Sequence, residues 1–326
     1  MLKIAVDCMG GDKGSSEILH AVNDFLAIHD DVEITLFGKK EELISLENKC
    51  RIVDAREVIK MDDGPLEVMR KKNSSMYQAI LTMKNEEMDA AISCGSTGGF
   101  LSTATMVLKL LPGVKRAALV TAFPTLKKDK KVVLLDIGAN NENSSEELVQ
   151  FALMGKLYAE AIYQIENPSV YLLSNGSEEH KGSPEGKIAY QTLKDNNFPN
   201  FKGNVEARYI LNGEADVVVT DGYTGNILLK STEGTAKMLS TLLKNAFTKN
   251  IFTKIGYLFA RKGLKEMKEM MNYKNTGGAM LLGVNGVVVK AHGSSDATSF
   301  LSALKIAYSL AKAKVNEKIK EGIINA

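Results

Sequence analysis

At 326 residues, with 41 basic and 39 acidic side chains and a formal net charge of +2, the chain is long enough for a large α/β domain and carries no charge excess of the kind that marks a nucleic-acid binder. Its 44% hydrophobic and 25% charged residues are ordinary for a soluble protein. Three scattered cysteines argue against a disulfide framework, no run nears the roughly 18 apolar residues of a spanning helix, and the N-terminus enters a strand without a basic-then-apolar leader, so a cytoplasmic protein is expected.

Strand and helix patterns alternate from residue 3 to about residue 230, the βαβ rhythm of a doubly wound, mostly parallel sheet. A strand at 4–7 runs into Cys8-Met9-Gly10-Gly11-Asp12, followed by a helix over 15–28 and a strand at 34–38. Residues 66–84 are helical in pattern, interrupted by Arg70-Lys71-Lys72-Asn73-Ser74-Ser75. A strand at 89–93 turns through Cys94-Gly95-Ser96-Thr97-Gly98-Gly99 into a helix over about 99–110. A strand at 132–136 leads to Ile137-Gly138-Ala139-Asn140-Asn141, then to a helix over 146–163 capped by Ser144 or Ser145. A strand at 170–174 precedes Asn175-Gly176 and Glu178-Glu179-His180-Lys181-Gly182, and a helix over 185–195 and a strand near 200–204 follow. A strand at 215–220 ends in Asp221-Gly222-Tyr223-Thr224-Gly225-Asn226.

The rhythm breaks there. From Ile227 to about Tyr273 there is no strand pattern and no proline, while Leu, Met, Phe and Lys recur at helical spacing. The stretch is too long for one crossover helix and predicts a protruding helical hairpin at about 234–272. The chain then returns through Gly277-Gly278 to a strand at 287–290, the loop Ala291-His292-Gly293-Ser294-Ser295-Asp296, and a helix over 296–314. With no repeat or linker, one domain over 1–326 is expected.

Six strands that end in Gly/Ser/Asn-rich turns point to a shared anion site, if the carboxyl ends of a parallel sheet lie along one rim. Glycine lets backbone N–H groups approach a ligand, and helix N-termini favour negative charge. The candidate phosphate- and substrate-binding residues are Gly10, Gly11, Asp12, Gly95, Ser96, Thr97, Gly98, Asn140, Asp221, Gly225, His292 and Ser294. Neither a G-x-G-x-x-G fingerprint nor a Walker A loop is present, and no H-E-x-x-H or paired-cysteine pattern occurs. No cofactor and no metal are expected.

Individual residues leave alternatives open. Cys94 before a helix N-terminus could be an activated nucleophile, yet nothing in the sequence supplies a base, and a small residue in a tight turn is the plainer reading. Lys181 could hold a phosphate or an oxyanion, or be a solvated loop lysine. Asn226 could donate to a carbonyl oxygen, or simply close a turn. Asp221 and Asp296 could orient a base or cap helices. In the excursion, Ile251, Phe252, Leu258 and Phe259 are interleaved with Lys249, Lys254, Arg261 and Lys262, a pattern suited to an anionic bilayer or to a dimer seam.

Taken in order, the segments IAVDCMGGD, RKKNSSM, SCGSTGG, LLDIGAN, GSEEHKG, GNVEAR, ADVVVTDGYTGNILLK, NTGGAMLLG and VVVKAHGSSDA closely resemble the bacterial PlsX phosphate acyltransferases, nearly end to end. The family's usual histidine is Lys13 here, and its usual Ala-Gly-Asn is Cys94-Gly95-Ser96. The resemblance implies transfer of a fatty acyl group from acyl-carrier protein to inorganic phosphate, giving acyl phosphate for phospholipid synthesis. It implies a homodimer with a three-layer α/β/α fold like those of phosphotransacetylases and isopropylmalate dehydrogenases, loosely associated with the membrane. A membrane-bound glycerol-3-phosphate acyltransferase is a further candidate partner. It places the family's important lysine at Lys181 and asparagine at Asn226, with phosphate itself as the nucleophile. An acyl-CoA-dependent phosphate acyltransferase, a nicotinamide-dependent dehydrogenase of similar fold and a non-enzymatic carrier-protein or membrane scaffold are the competing readings.

Overall fold

Short runs of Val, Ile, Leu and Ala make the strands, and those at the sheet centre are buried on both faces, so they read as continuous apolar runs. A computed structural model describes residues 1–270 and 278–325. Its strands are β1 (Leu2–Asp7), β2 (Val32–Gly38), β3 (Arg51–Asp54), β4 (Ala90–Ser93), β5 (Ala118–Pro124), β6 (Lys131–Leu135), β7 (Val170–Ser174), β8 (Phe201–Glu206), β9 (Val217–Val219), β10 (Ala279–Leu282) and β11 (Val287–Lys290). The helices are α1 (Ser15–Leu26), α2 (Lys40–Leu43), α3 (Pro65–Arg70), α4 (Ser75–Asn85), α5 (Thr97–Leu108), α6 (Ser145–Tyr163), α7 (Pro184–Asp195), α8 (Gly222–Thr248), α9 (Ile251–Met270), α10 (Ala297–Lys312) and α11 (Val315–Ile324).

Every expected strand forms, and β3, β5 and β10 form in addition. Ser144 caps α6 through a reciprocal box with Glu147. The basic interruption separates α3 from α4, whose cap is Ser74. The helical stretch after Ile227 is the continuation of α8, which begins at Gly222, followed by α9. The expected end of the excursion at 272, and Asn275, Thr276 and Gly277 of the following segment, lie outside the described residues.

All the strands join in one sheet of order β3-β2-β1-β4-β11-β10-β5-β6-β9-β7-β8. Its two flanks are parallel within themselves, but the antiparallel pairings β11–β10, β10–β5 and β5–β6 reverse one flank against the other. The β5–β6 hairpin, closed by Thr125 N–H donating to Lys130 O at 3.1 Å, makes the last of these reversals. The expectation of a single carboxyl rim is therefore corrected. The loops after β1, β4 and β11 belong to one rim, and those after β6, β9 and β7 to an opposed rim. The register brings the two rims together. Lys290 pairs with Ala279, the adjacent Met280 pairs with Val120, and Val120 pairs with Leu135. Strand ends of opposite direction thus stop at neighbouring rows on either side of β10 and β5.

Alternate strand residues feed two apolar layers. Ile4, Val6, Ile92, Val133 and Val289 face Phe25, Phe151 and Phe300 of α1, α6 and α10. Ala5, Ala91, Leu134 and Val288 face Ile80 and Phe100 of α4 and α5. Each fully buried phenylalanine contributes about 1.5–3 kcal/mol of transfer free energy.

The start of α8 lies directly on the end of β6. A methyl group on Gly225 would overlap the Asp136 carbonyl oxygen, and one on Gly222 would overlap that of Asn140. The glycine spacing of the DGYTGN segment is thus a requirement of close backbone approach. Gly225→Ala should destabilise the protein by about 1–3 kcal/mol or more. Urea unfolding will measure this; an unchanged midpoint would contradict the packing described.

Candidate active site

The loops after β4, β6, β9 and β11 converge on a cavity of about 480 Å³ above β10 and β5. Leu119, Thr121 and Phe123 of β5, with Ala279 of β10, line it, joined by Leu101, Ile137 and Leu229. Thr97 and Gly98 from the N-terminus of α5, Gly138, Asn226, Lys230, Glu233, Lys290, His292 and Ser295 supply its polar surface. Apolar walls and a few convergent polar groups form a pocket for a ligand with an oily part and an anionic part.

The β1 loop backs this cavity. Asp12 N–H donates to Gly293 O at 2.9 Å, a methyl on Gly10 would press on the Gly95 Cα at 3.0 Å, and Gly11 lies against Cys94. Gly10 has a φ of 81°, which tolerates little but glycine. Ser96 caps α5, its hydroxyl accepting from Gly99 N–H at 3.2 Å. The α5 N-terminus it shapes opens at Gly98, where an added Cβ would meet nothing within 4 Å.

Asp136, which the sequence reading overlooked, organises the β6 loop. It is fully buried, and its Oδ1 accepts from the backbone N–H groups of Leu119, Gly138 and Ala139 at 2.8–3.0 Å. Burial pushes its carboxyl up, and these hydrogen bonds oppose that shift. Asn140 does not line the cavity. Both of its amide hydrogens are engaged, one by Asp136 at 2.7 Å and one by Ala117 O at 2.8 Å.

The other expected residues divide between the cavity and its supports. Asp221 caps α8, accepting from Thr224 N–H at 2.8 Å, and Asp296 caps α10, accepting from Ser299 N–H at 3.0 Å. His292 lines the cavity with its Nδ1 at 2.9 Å from the Ser294 hydroxyl. Asn226 lines it too, against the Gly138 backbone. Lys181 does not line it. It sits half-buried in the β7–α7 loop, its N–H donating to Glu178 O at 3.0 Å. Because β7 is the parallel neighbour of β9, this loop shares a rim with the one that carries Asn226.

Cys94 is only 3% exposed, and burial is the first cause pushing its thiol up to about 12. The activated-nucleophile reading finds no support in that setting. Lys290, also overlooked, is 6% exposed at the end of β11 and lines the cavity. Its signal in the sequence was a lysine closing a run of three valines.

The fold is an α/β sheet architecture shared with phosphotransacetylases. A phosphotransacetylase from Streptococcus pyogenes superposes with a TM-score of 0.61 at 20% identity, covering 96% of this chain and 94% of its own. The family model described as fatty acid synthesis protein matches residues 2–318. Phosphate acyltransferases of Staphylococcus haemolyticus and Thermoanaerobacter pseudethanolicus are 40% and 43% identical to this chain over 324 and 326 residues. Those matches cover 99% of this chain in each case, and 98% and 97% of the relatives. The chain belongs to this phosphate acyltransferase family of fatty acid synthesis, and is an acyltransferase.

Cys94→Ala should keep most of the turnover, since burial disfavours the thiolate that a nucleophile requires. An acyl adduct on Cys94 that forms and decays at the catalytic rate would contradict this.

Proposed function

We propose that the enzyme transfers a fatty acyl group from acyl-carrier protein to inorganic phosphate and releases acyl phosphate for phospholipid synthesis. A phosphate oxygen attacks the thioester carbonyl carbon, a tetrahedral oxyanion forms, and the C–S bond breaks as the carrier thiolate takes up the proton that phosphate loses. Phosphate is the nucleophile, so no acyl-enzyme is needed. The enzyme's part is to place the two reactants and to stabilise developing charge. The observation that carries this reading is the cavity itself, where the apolar Leu119 and Phe123 lie beside the α5 N-terminus, Lys230, Lys290 and Asn226.

Asn226 is assigned to the carbonyl oxygen. Lys181, on the adjacent loop of the same rim, is assigned to the charge that develops during transfer. Lys181→Ala should lower turnover about 10²–10³-fold in a folded protein. The readout is hydroxylamine-trapped acyl phosphate formed from long-chain acyl-carrier protein and phosphate. Near-normal turnover removes Lys181 from the mechanism, and activity only with acyl-CoA replaces the proposed donor.

The product is poorly soluble, which gives the helical pair a task. Among the described residues no helix is long and apolar enough to cross a membrane. Yet Phe252 and Phe259 near the start of α9 are 80% and 88% exposed, and Ile251 and Leu258 are also open. Lys249, Lys254, Arg261 and Lys262 are interleaved with them along the chain. This tip is assigned to an anionic lipid surface, so that a cytoplasmic homodimer delivers acyl phosphate to a membrane acyltransferase such as one acting on glycerol 3-phosphate. The exposed Met238, Leu239 and Leu242 of α8 are assigned to the seam with a second copy. Polar replacement of Ile251, Phe252, Leu258 and Phe259 should abolish co-sedimentation with anionic liposomes and leave dimerisation and soluble turnover intact. Dissociation into monomers would show that the tip is interface instead.

A further inference from the structure

Lys290 is an expensive residue to place where it stands. Its side chain is almost wholly buried at the end of β11, and its ammonium donates to the neighbouring Ala291 carbonyl. Among the described residues no carboxylate reaches it within the 4.0 Å of an ion pair. An ammonium has three donors, and a buried charge without a counter-ion is strongly unfavourable. The surroundings relieve it only in part. Asp7, Ser93 and Lys290 form one row across β1, β4 and β11, but Asp7 is held by the Ser93 hydroxyl at 2.6 Å and by Met9 N–H at 3.1 Å. Lys230, across the cavity on α8, adds a like charge and is itself paired with Glu233 at 3.0 Å.

Lys290 nonetheless lines the cavity, as do Thr97 and Gly98 of the α5 N-terminus. A helix N-terminus and a desolvated lysine on one cavity select a compact anion with several oxygen acceptors. We propose that Lys290 is the phosphate-binding cation of this enzyme, donating to a phosphate oxygen held between the N-terminus of α5 and the loop after β11. This deepens the function proposed above and rests on it.

The assignment fixes a pH dependence. Burial is the largest cause pushing the Lys290 ammonium down, to about 8, while Cys94, Asp7 and Asp12 hold it up and Lys230 presses it further down. Glu233 and His292 also face the cavity. Burial raises the Asp7 carboxyl to about 6, below the window in question. A bound anion favours the protonated lysine, so its pKa rises in the complex. Anion affinity is therefore full below the free enzyme's value of about 8 and declines as pH rises through it.

The test is calorimetric titration of the full chain with inorganic phosphate, and with sulfate, which does not titrate in this range. Lys290→Met should weaken phosphate binding about 10–100-fold, the worth of a hydrogen bond to a charged group. It should raise the phosphate KM to match and leave the acyl-donor KM nearly unchanged. Its melting temperature in the absence of phosphate should equal or exceed the parent's, because an uncompensated buried charge is removed. Lys290→Arg should retain binding and lose the decline in sulfate affinity. Wild-type phosphate affinity and KM in a folded Lys290→Met protein would overturn the proposal. So would a parent sulfate affinity that stays flat through pH 8, a result that needs no variant. Phosphate bound through Lys290 without acyl phosphate formation would refute the proposed reaction and leave this site standing. Acyl phosphate formed by Lys290→Met at the parent phosphate KM would do the reverse.

Discussion

The site depends on two sets of parallel strands that run toward each other and stop at neighbouring rows. In a wholly parallel sheet the turns after β4 and β11 would lie on the same rim as those after β6 and β9, spread along its length. Here the antiparallel segment β10–β5–β6 reverses one set. The turns close on a short stretch of β5 from both sides, and Leu119, Thr121 and Phe123 line the space between them. The arrangement needs close backbone contact on one side, supplied where the first turn of α8 lies on the end of β6. Asp136 beneath that contact holds four backbone N–H groups in place. Close backbone packing on one rim, and Lys290 with the α5 N-terminus on the other, are thereby supplied by different parts of the chain.

Electrostatics then separates the cavity from its supports. Most carboxylates near the loops have structural tasks: Asp221 and Asp296 cap helices, and Asp136 orders a turn. Lys290 differs, since it is buried, lines the cavity and forms no ion pair with a carboxylate among the described residues. The apolar part of the same cavity suits the other reactant, so one space can hold phosphate against an acyl carbonyl and exclude water from both.

Much of this was legible in the sequence, for reasons that particular residues make plain. Strands such as Val287–Lys290 are short apolar runs bounded by glycine turns, and Ser144 with Glu147 writes a helix start in two residues. The long proline-free stretch after Ile227 could only be helical. What failed was whatever depends on pairing direction. Ala118–Pro124 has no alternation, because it is buried on both faces, and its antiparallel pairing with β6 leaves no mark in composition. Without β5 the two rims appear as one. Individual roles were less legible still: Asn140 and Asp221 have the residue types of a binding site and serve the backbone, while Lys290 looked like the end of a strand.

The measurement that bears most directly on this account is a crystal structure of the enzyme with phosphate bound. The anion is expected in the cavity above β5, within hydrogen-bonding reach of the Lys290 Nζ and the backbone at Thr97 and Gly98. Phosphate seated instead on the β7 loop around Lys181, with the cavity filled only by water, would contradict it.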